Sequence, residues 1–514
     1  MKKLEHITFI VPPKLTTFEN SLYIGRLGGP PLNIAYLASI TEDEGVSYQV
    51  IDGLESSKSK PFEPYPQYYI QGLFIHEIVE QISNETDVIA ITSMFTSEWL
   101  IVREILKEVE AKFPDKLVIM GGEHASADAR QILRFEPAVD AIFRGESEVS
   151  YREFLVKYTE KKDFKNIPGV MYKIDKEIIR ENPKAPRITN IDEIKPSWKK
   201  INVNYYLDNK LSYSELGNRA MPIISSRGCP YQCTFCSNDQ MWGTRYVTKS
   251  VDKVIEELEY YIKKYKVEHF DFIDLATSVN KKWFKALLTK MIDELPEFSW
   301  EMTVGTRSEI LDEEILTLLY RSGMRVITYA PETGSKSMAK KIKKRINHDK
   351  MYASMRSALK VGLRVKTNIV IGFPNETIRE LLATIWMSVR LAIMGIKGVT
   401  VAAYQPFLGT ELSRELYSEK TYLEYNRRVI QLTAKEGPSV FNLTKLISDP
   451  RNQFYYFISN IMMISTFFIN CACNPLRIIS SIKNIKNGKP IGAVENVTFS
   501  LVQKIKNTTL RLNK

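Results

Sequence analysis

Pro222-Ile223-Ile224-Ser225-Ser226-Arg227-Gly228-Cys229-Pro230-Tyr231-Gln232-Cys233-Thr234-Phe235-Cys236 runs from an apolar segment into three cysteines. The apolar segment predicts a β-strand, and the cysteines fall on the loop that leaves it. The spacing is C-x3-C-x2-C. Three thiolates can hold three irons of a 4Fe–4S cluster and leave the fourth open to a chelating ligand. The competing reading is structural zinc, which needs a fourth ligand and a second pair at matching spacing. The nearest histidine, His269, lies 33 residues on, inside another predicted strand.

Downstream, apolar runs recur at Phe270–Asp274, Trp300–Val304, Arg325–Ala330, Thr367–Ile371 and Val399–Tyr404, with helical patterns between them. With Pro222–Ser226 they make six βα units, too few for an eight-stranded barrel but enough for a partial one. Upstream, His6–Val11, Ser47–Asp52, Asp87–Thr92, Leu117–Met120 and Asp140–Phe143 are short, β-branched-rich strands. Helical segments such as Leu32–Glu44 and Trp99–Lys112 separate them, which predicts right-handed crossovers and a doubly wound sheet. Ligands of such sheets lie at the carboxyl ends of the strands. The expected class is therefore α/β. Its expected domains are a Rossmann-like one over 1–190, a partial barrel over 191–415 and a helical C-terminal region over 416–514.

The 514 residues are 44% hydrophobic and 25% charged, the balance of a folded chain of several domains. Five cysteines, three of them clustered, suit metal ligation in a reducing compartment rather than a disulfide framework. The opening residues lack a long apolar stretch, so residence in the cytoplasm is expected. The net charge is +11, but residues 477–514 carry eight Lys or Arg against Glu495 alone. The excess is thus largely a basic tail, suited to an acidic surface such as anionic lipid, and no nucleic-acid partner is expected. Lys340–Arg345 is expected to be a solvated helix face. No P-loop, nucleophile elbow or His-Glu-x-x-His occurs, which disfavours nucleotide hydrolysis, serine hydrolysis and zinc proteolysis.

Cys229, Cys233 and Cys236, with Phe235 before the last, resemble the signature of radical S-adenosylmethionine enzymes. Tyr329–Ser335, Ile369–Thr377 and Gln405–Thr410 resemble that family's later motifs, in order. The resemblance implies that S-adenosylmethionine chelates the open iron, and that reduction yields methionine and a 5′-deoxyadenosyl radical. It makes Phe235, Arg307, Glu332, Gly372 and Gln405 candidate cofactor contacts: Glu332 for amino or ribose groups, Arg307 for the carboxylate, Gly372 for the adenine. Read singly, surface salt-bridge residues are the alternative for Glu332 and Arg307.

Gly29–Ala38, Gly121–Ser126 and Arg144–Glu148 resemble the cobalamin-binding domain of class B members of that family. Thr92, Ser93, Gly121, Gly122, Gly145 and Glu146 are the candidate corrin contacts. The Asp-x-His-x-x-Gly signature is absent, so no protein imidazole is expected on cobalt, and His124 is expected to order its loop. A domain that keeps the fold without the corrin is the alternative.

Asn452–Leu476 is a run of 25 uncharged residues interrupted by Asn, Ser and Thr. It reads as a buried helix lining a substrate cavity, a membrane-docking helix or a span. Cys471 and Cys473 within it are expected to be buried as small apolar residues. The resemblance implies a cobalamin-dependent C-methyltransferase acting on an unactivated carbon, under anaerobic conditions and with an external one-electron reductant. The apolar helices suggest a hydrophobic or lipid-like substrate. Cyclisation, carbon–carbon coupling or oxygenation is the alternative chemistry, and a cluster-binding sensor the alternative class.

Overall fold

Short β-branched strands alternate with helices from the first described residue of the computed structural model onward. It describes residues 4–16, 28–66, 68–158, 164–175, 178–214, 218–308, 310–416, 421–427, 450–487, 494–495, 498–499 and 502. These fall into two compact units.

The first unit comprises Met1–Asn209, Gly228–Thr248 and Gln405–Ser439. Its main strands are β1 (His6–Val11), β2 (Ser47–Asp52), β3 (Val88–Thr92), β4 (Leu117–Gly121), β5 (Ala141–Phe143), β6 (Val170–Lys173) and β7 (Ile179–Glu181). They form one seven-stranded sheet in the order β7-β6-β5-β4-β3-β1-β2. The first five are mutually parallel, and β6 and β7 add antiparallel strands at one edge. The strand order changes direction between β1 and β3, the switch point at which open α/β sheets bind ligands. α1 (Leu32–Asp43) and α2 (Trp99–Lys112) are crossover helices. α2 turns Trp99, Val102, Ile105, Leu106 and Val109 inward at helical spacing, and all five are buried. Full burial of one such aliphatic side chain stabilises by about 2 kcal/mol.

The second unit comprises Lys210–Arg227, Lys249–Tyr404 and Val440–Lys514. Its strands are β8 (Ala220–Ile223), β9 (His269–Phe272), β10 (Ser299–Met302), β11 (Val326–Glu332), β12 (Arg364–Ile371) and β13 (Gly398–Ala403). They form two parallel three-stranded sheets, β8-β9-β10 and β11-β12-β13. Parallel bridges Trp300–Met324 and Thr306–Tyr329 join the two into a six-stranded partial barrel.

α9 (Ile378–Met394) is the helix between β12 and β13, and α10 (Pro450–Cys473) and α11 (Leu476–Lys486) follow the barrel; α3 to α8 are Glu123–Ala127, Asn238–Met241, Val251–Tyr265, Lys281–Glu294, Glu313–Arg321 and His348–Val361. α9 starts in a reciprocal capping box between Thr377 and Glu380.

α10 departs from the buried-helix expectation. Among the described residues its Gln453–Cys473 stretch is the one candidate long and apolar enough to cross a membrane, and only 28% of its most apolar window is buried. Cys471 is buried and Cys473 is exposed, so burial accounts for one cysteine of the pair. Lys340–Arg345 is also not wholly a solvated face: Lys344 is buried against Glu332. Arg477, counted with the basic tail, is buried in an ion pair with Glu495 at 2.7 Å. Most of the tail beyond 487 lies outside the described residues.

Candidate functional site

The cysteine loop belongs to the first unit and is held by backbone contacts. Gly228 enters it at φ +83°, and a Cβ there would stand 2.1 Å from the Arg245 carbonyl oxygen, so the entry requires glycine. The Cys229 N–H donates to Gly243 O at 3.4 Å and the Cys236 N–H to Cys233 O at 3.1 Å. The Asn238 amide donates to Gly243 O at 3.1 Å and to Cys229 O at 3.4 Å. The Leu412 N–H donates to the Thr234 carbonyl at 3.1 Å. Cys229, Cys233 and Phe235 are half-buried, whereas Cys236 has an exposed surface.

The Cys236 thiol is pushed up to about 11 by desolvation, with Cys233, Cys229 and Glu123 adding and a backbone hydrogen bond at Asn238 opposing.

The same unit places the glycine-pair edge against this loop. α3 begins directly after Gly122, and α4 follows Cys236 and packs on α3. The Ser237 hydroxyl donates to Glu123, and the Ser126 hydroxyl lies 4.0 Å from the Met241 sulfur. Gly122, at φ +110°, has no room for a Cβ, which would meet Ser93 O at 2.4 Å. Its glycine therefore serves close packing on the protein's own backbone.

The candidate corrin contacts cluster here. The Ser93 N–H donates to Gly121 O at 2.8 Å, Thr92 Oγ1 accepts from Asn33 at 2.8 Å, and the Gly145 N–H donates to Ser126 Oγ at 2.9 Å. The Ser93 hydroxyl is buried with no hydrogen-bond partner among the described residues. Glu146 is drawn away into an ion pair with Arg187. His124 is buried, its Nδ1 3.1 Å from Thr96 Oγ1 and its ring 4.7 Å from that of Trp99. Gln405 opens a turn in which Phe407 N–H donates to its carbonyl at 2.9 Å.

In the second unit, Glu332 ends β11 at φ +64°, beyond a register shift. This left-handed backbone is costly for a residue with a side chain and is characteristic of functional sites. Its carboxylate is buried and bonded to Lys344 Nζ at 3.0 Å. Arg307 lies past the end of β10 and lines a small cavity with Thr306, Ser308, Pro331 and Lys344. Lys344 thus links the two candidates. Gly372, at φ +82°, follows β12, and a Cβ there would stand 2.7 Å from the Tyr455 ring of α10. The protein's own aromatic ring therefore covers the face expected for adenine.

Sequence reasoning missed Asp274. It is fully buried at the carboxyl end of β9 and accepts from Ser225 N–H (3.0 Å), Ser225 Oγ (2.8 Å) and Ser226 Oγ (2.6 Å). It thereby fixes the strand that leads into the cysteine loop. Burial raises its carboxyl pKa, opposed by those hydrogen bonds. Arg187, Glu123 and Tyr455 were missed as well, since each partner lies far away in sequence, and Lys344, twelve residues from Glu332, was read as part of a solvated face.

Among the described residues no three His, Cys, Asp or Glu side chains are grouped to share one metal ion. Three thiols on one pinned loop fit a multi-iron cluster, in which each iron takes one thiolate. The unpartnered Ser93 hydroxyl and Gly121, where an added Cβ would find its nearest atom 3.7 Å away, fit a bulky polar ligand on the sheet's carboxyl side.

Residues 223–385 match the radical SAM superfamily and residues 26–155 the B12 binding domain. A protein of Pyrococcus horikoshii named uncharacterized methyltransferase is 28% identical over 430 residues, covering 83% of this chain and 86% of the relative. An anaerobic magnesium-protoporphyrin IX monomethyl ester cyclase of Cereibacter sphaeroides is 26% identical, covering 70% of this chain and 56% of its own. The solved structure of the cobalamin-dependent S-adenosylmethionine radical enzyme OxsB has the same fold. Its TM-score is 0.66 at 13% identity, over 99% of this chain and 81% of that one.

Proposed function

Because the chain belongs to the radical S-adenosylmethionine enzymes that carry a B12-binding domain, we propose that it methylates an unactivated carbon of a hydrophobic or lipid-like small molecule. It is an enzyme that uses a 4Fe–4S cluster, S-adenosylmethionine and cobalamin, and its electrons come from an external reductant. Together these groups supply one-electron reductive cleavage of a sulfonium and a methyl donor.

The chain's own residues would bind and orient them. Cys229, Cys233 and Cys236 would hold the cluster, each as a thiolate. Phe235, Arg307, Glu332, Gly372 and Gln405 would contact S-adenosylmethionine. Glu332 would do so by sharing its carboxylate between Lys344 and the ligand's cationic or hydroxyl groups, and Gly372 once Tyr455 turns aside. Thr92, Ser93, Gly121, Gly122 and Gly145 would line the corrin edge, and Glu146 would act through Arg187. The domain limits 1–190, 191–415 and 416–514 belong to this proposal, as does residence in the cytoplasm at a membrane surface.

One observation carries the reading: the helix that directly follows the three-cysteine loop is packed on the helix that starts at the glycine pair. The methyltransferase-named relative is matched nearly end to end, whereas the cyclase is matched over about half its length. The test is the product mass from anaerobic turnover with lipid and small-molecule extracts. A gain of one methyl group supports transfer. A product altered without that gain sinks it and favours cyclisation, coupling or oxygenation.

A further inference from the structure

α10 is built inside out. The side facing the barrel carries Ser459, Thr466 and Asn470 beside Met462 and Cys471, all buried. The Asn470 amide donates to Ala392 O at 2.8 Å and Ile396 O at 3.3 Å, tying α10 to the end of α9. The outward side carries Phe454, Phe457, Ile461, Ile464 and Phe468, every one exposed, with Phe457 at 63% and Phe468 at 64%. A water-facing helix has the opposite polarity.

α9, which packs beside α10, repeats the pattern. Leu382, Trp386 and Ile393 are exposed on one stripe, Trp386 at 66%. α11 adds exposed Ile478, Ile479 and Ile482. Surfaces of this kind mark interaction sites.

The charge on these helices selects the partner. Arg379 and Arg390 on α9 and Lys483 and Lys486 on α11 are exposed. The one acidic residue in the three helices is Glu380, which is buried and bonded to Thr377, Ser337 and Lys341. A second copy would bring like charge against like charge. An anionic bilayer would meet the cations with its headgroups and the apolar stripes with its acyl boundary, where Trp is favoured.

We propose that the outward faces of α9, α10 and α11 form one docking surface for an anionic lipid bilayer, entered in the plane of the interface rather than by crossing it. This rests on the membrane contact proposed above and extends it to α9, which the uncharged run in the sequence did not include.

The experiment uses the full-length, cluster-reconstituted protein with vesicles of phosphatidylcholine containing phosphatidylglycerol. Flotation with these vesicles is expected, with at least tenfold less bound in high salt or with phosphatidylcholine alone. Trp386→Gln and, separately, Phe457→Gln with Ile461→Gln should each lower binding at least tenfold. Cluster iron and 5′-deoxyadenosine formation without vesicles should stay unchanged, which separates failure of this surface from failure of the enzymatic reading. Protein left unbound at low salt overturns the proposal, as does binding that ignores both variants. A dimer by light scattering that these variants dissociate, without flotation, assigns the surface to a second copy and overturns it too.

Discussion

Gly372→Ala combines two costs that the structure separates. A side chain at φ +82° sits in the left-handed region, at about 1–2 kcal/mol. Its Cβ would also lie 2.7 Å and 2.8 Å from two carbons of the Tyr455 ring. Carbon contacts are favourable near 3.5 Å, so the ring would have to retreat by about 0.8 Å. Such overpacking costs about 1–3 kcal/mol. The substitution should therefore destabilise the protein by about 2–5 kcal/mol. In a Tyr455→Ala background the steric part disappears, and Gly372→Ala should cost only about 1–2 kcal/mol. The difference is the coupling that a double-mutant cycle measures. Urea unfolding followed by circular dichroism, on all four proteins under anaerobic conditions, gives the comparison. Equal cost in both backgrounds would refute the packing of Tyr455 on Gly372. Calorimetric titration with S-adenosylmethionine adds a second readout. If adenine uses this face, Tyr455→Ala should bind at least as tightly as the parent, and the double variant more weakly than Tyr455→Ala.

Changing Cys229, Cys233 or Cys236 to Ala should abolish the reconstituted cluster, measured as bound iron and sulfide; full iron in all three variants would remove the basis of the cluster assignment. Glu332→Ala leaves Lys344 buried without its carboxylate, at about 3–5 kcal/mol, so Glu332→Ala with Lys344→Ala is the informative variant. It should keep the iron and lose 5′-deoxyadenosine production, and an unchanged yield would exclude Glu332 as a ligand contact. Cobalamin should bind without a protein imidazole, so nitrogen splitting from histidine in the cobalt(II) paramagnetic resonance spectrum would contradict the ligation. Asp52 is buried at the end of β2, and burial first lifts its carboxyl from 3.8 to about 6, against hydrogen bonds from Tyr206 and the Leu54 backbone. The folded state thus holds a proton that the unfolded chain releases earlier, so stability should fall as pH rises from about 4 to 6, by up to about 3 kcal/mol. Asp52→Asn should flatten that slope in pH-dependent urea melts, and an unchanged slope would assign it to other groups.

The central strands of the first sheet were legible because their burial is two-sided. β3 is buried at every position, and such strands read as unbroken β-branched runs. The cysteine loop was legible from spacing, which needs no tertiary information. What escaped was every partner set by long-range contact: Asp274 is 49 residues from Ser225, and Tyr455 is brought to Gly372 across the whole of α9 and β13. Gly122 shows the limit from the other side. A glycine pair at a strand end suggests room for a ligand, yet Gly122 is required by Ser93's carbonyl.

α10 shows most plainly what periodicity can and cannot decide. Spacing of three and four groups Phe454, Phe457, Ile461, Ile464 and Phe468 on one face, and it does so whichever way that face points. Hydrophobicity alone would turn the aromatic face inward. The structure turns it outward because the polar face has work inside. The Asn470 amide donates to two carbonyls at the end of α9, that of Ile396 and that of Ala392, which also accepts the Gly395 N–H at 3.1 Å, and so ties the polar face of α10 to that end. Tyr455 and its neighbour Phe454 then divide the helix's two roles between adjacent positions: one ring closes on Gly372, the other stands exposed.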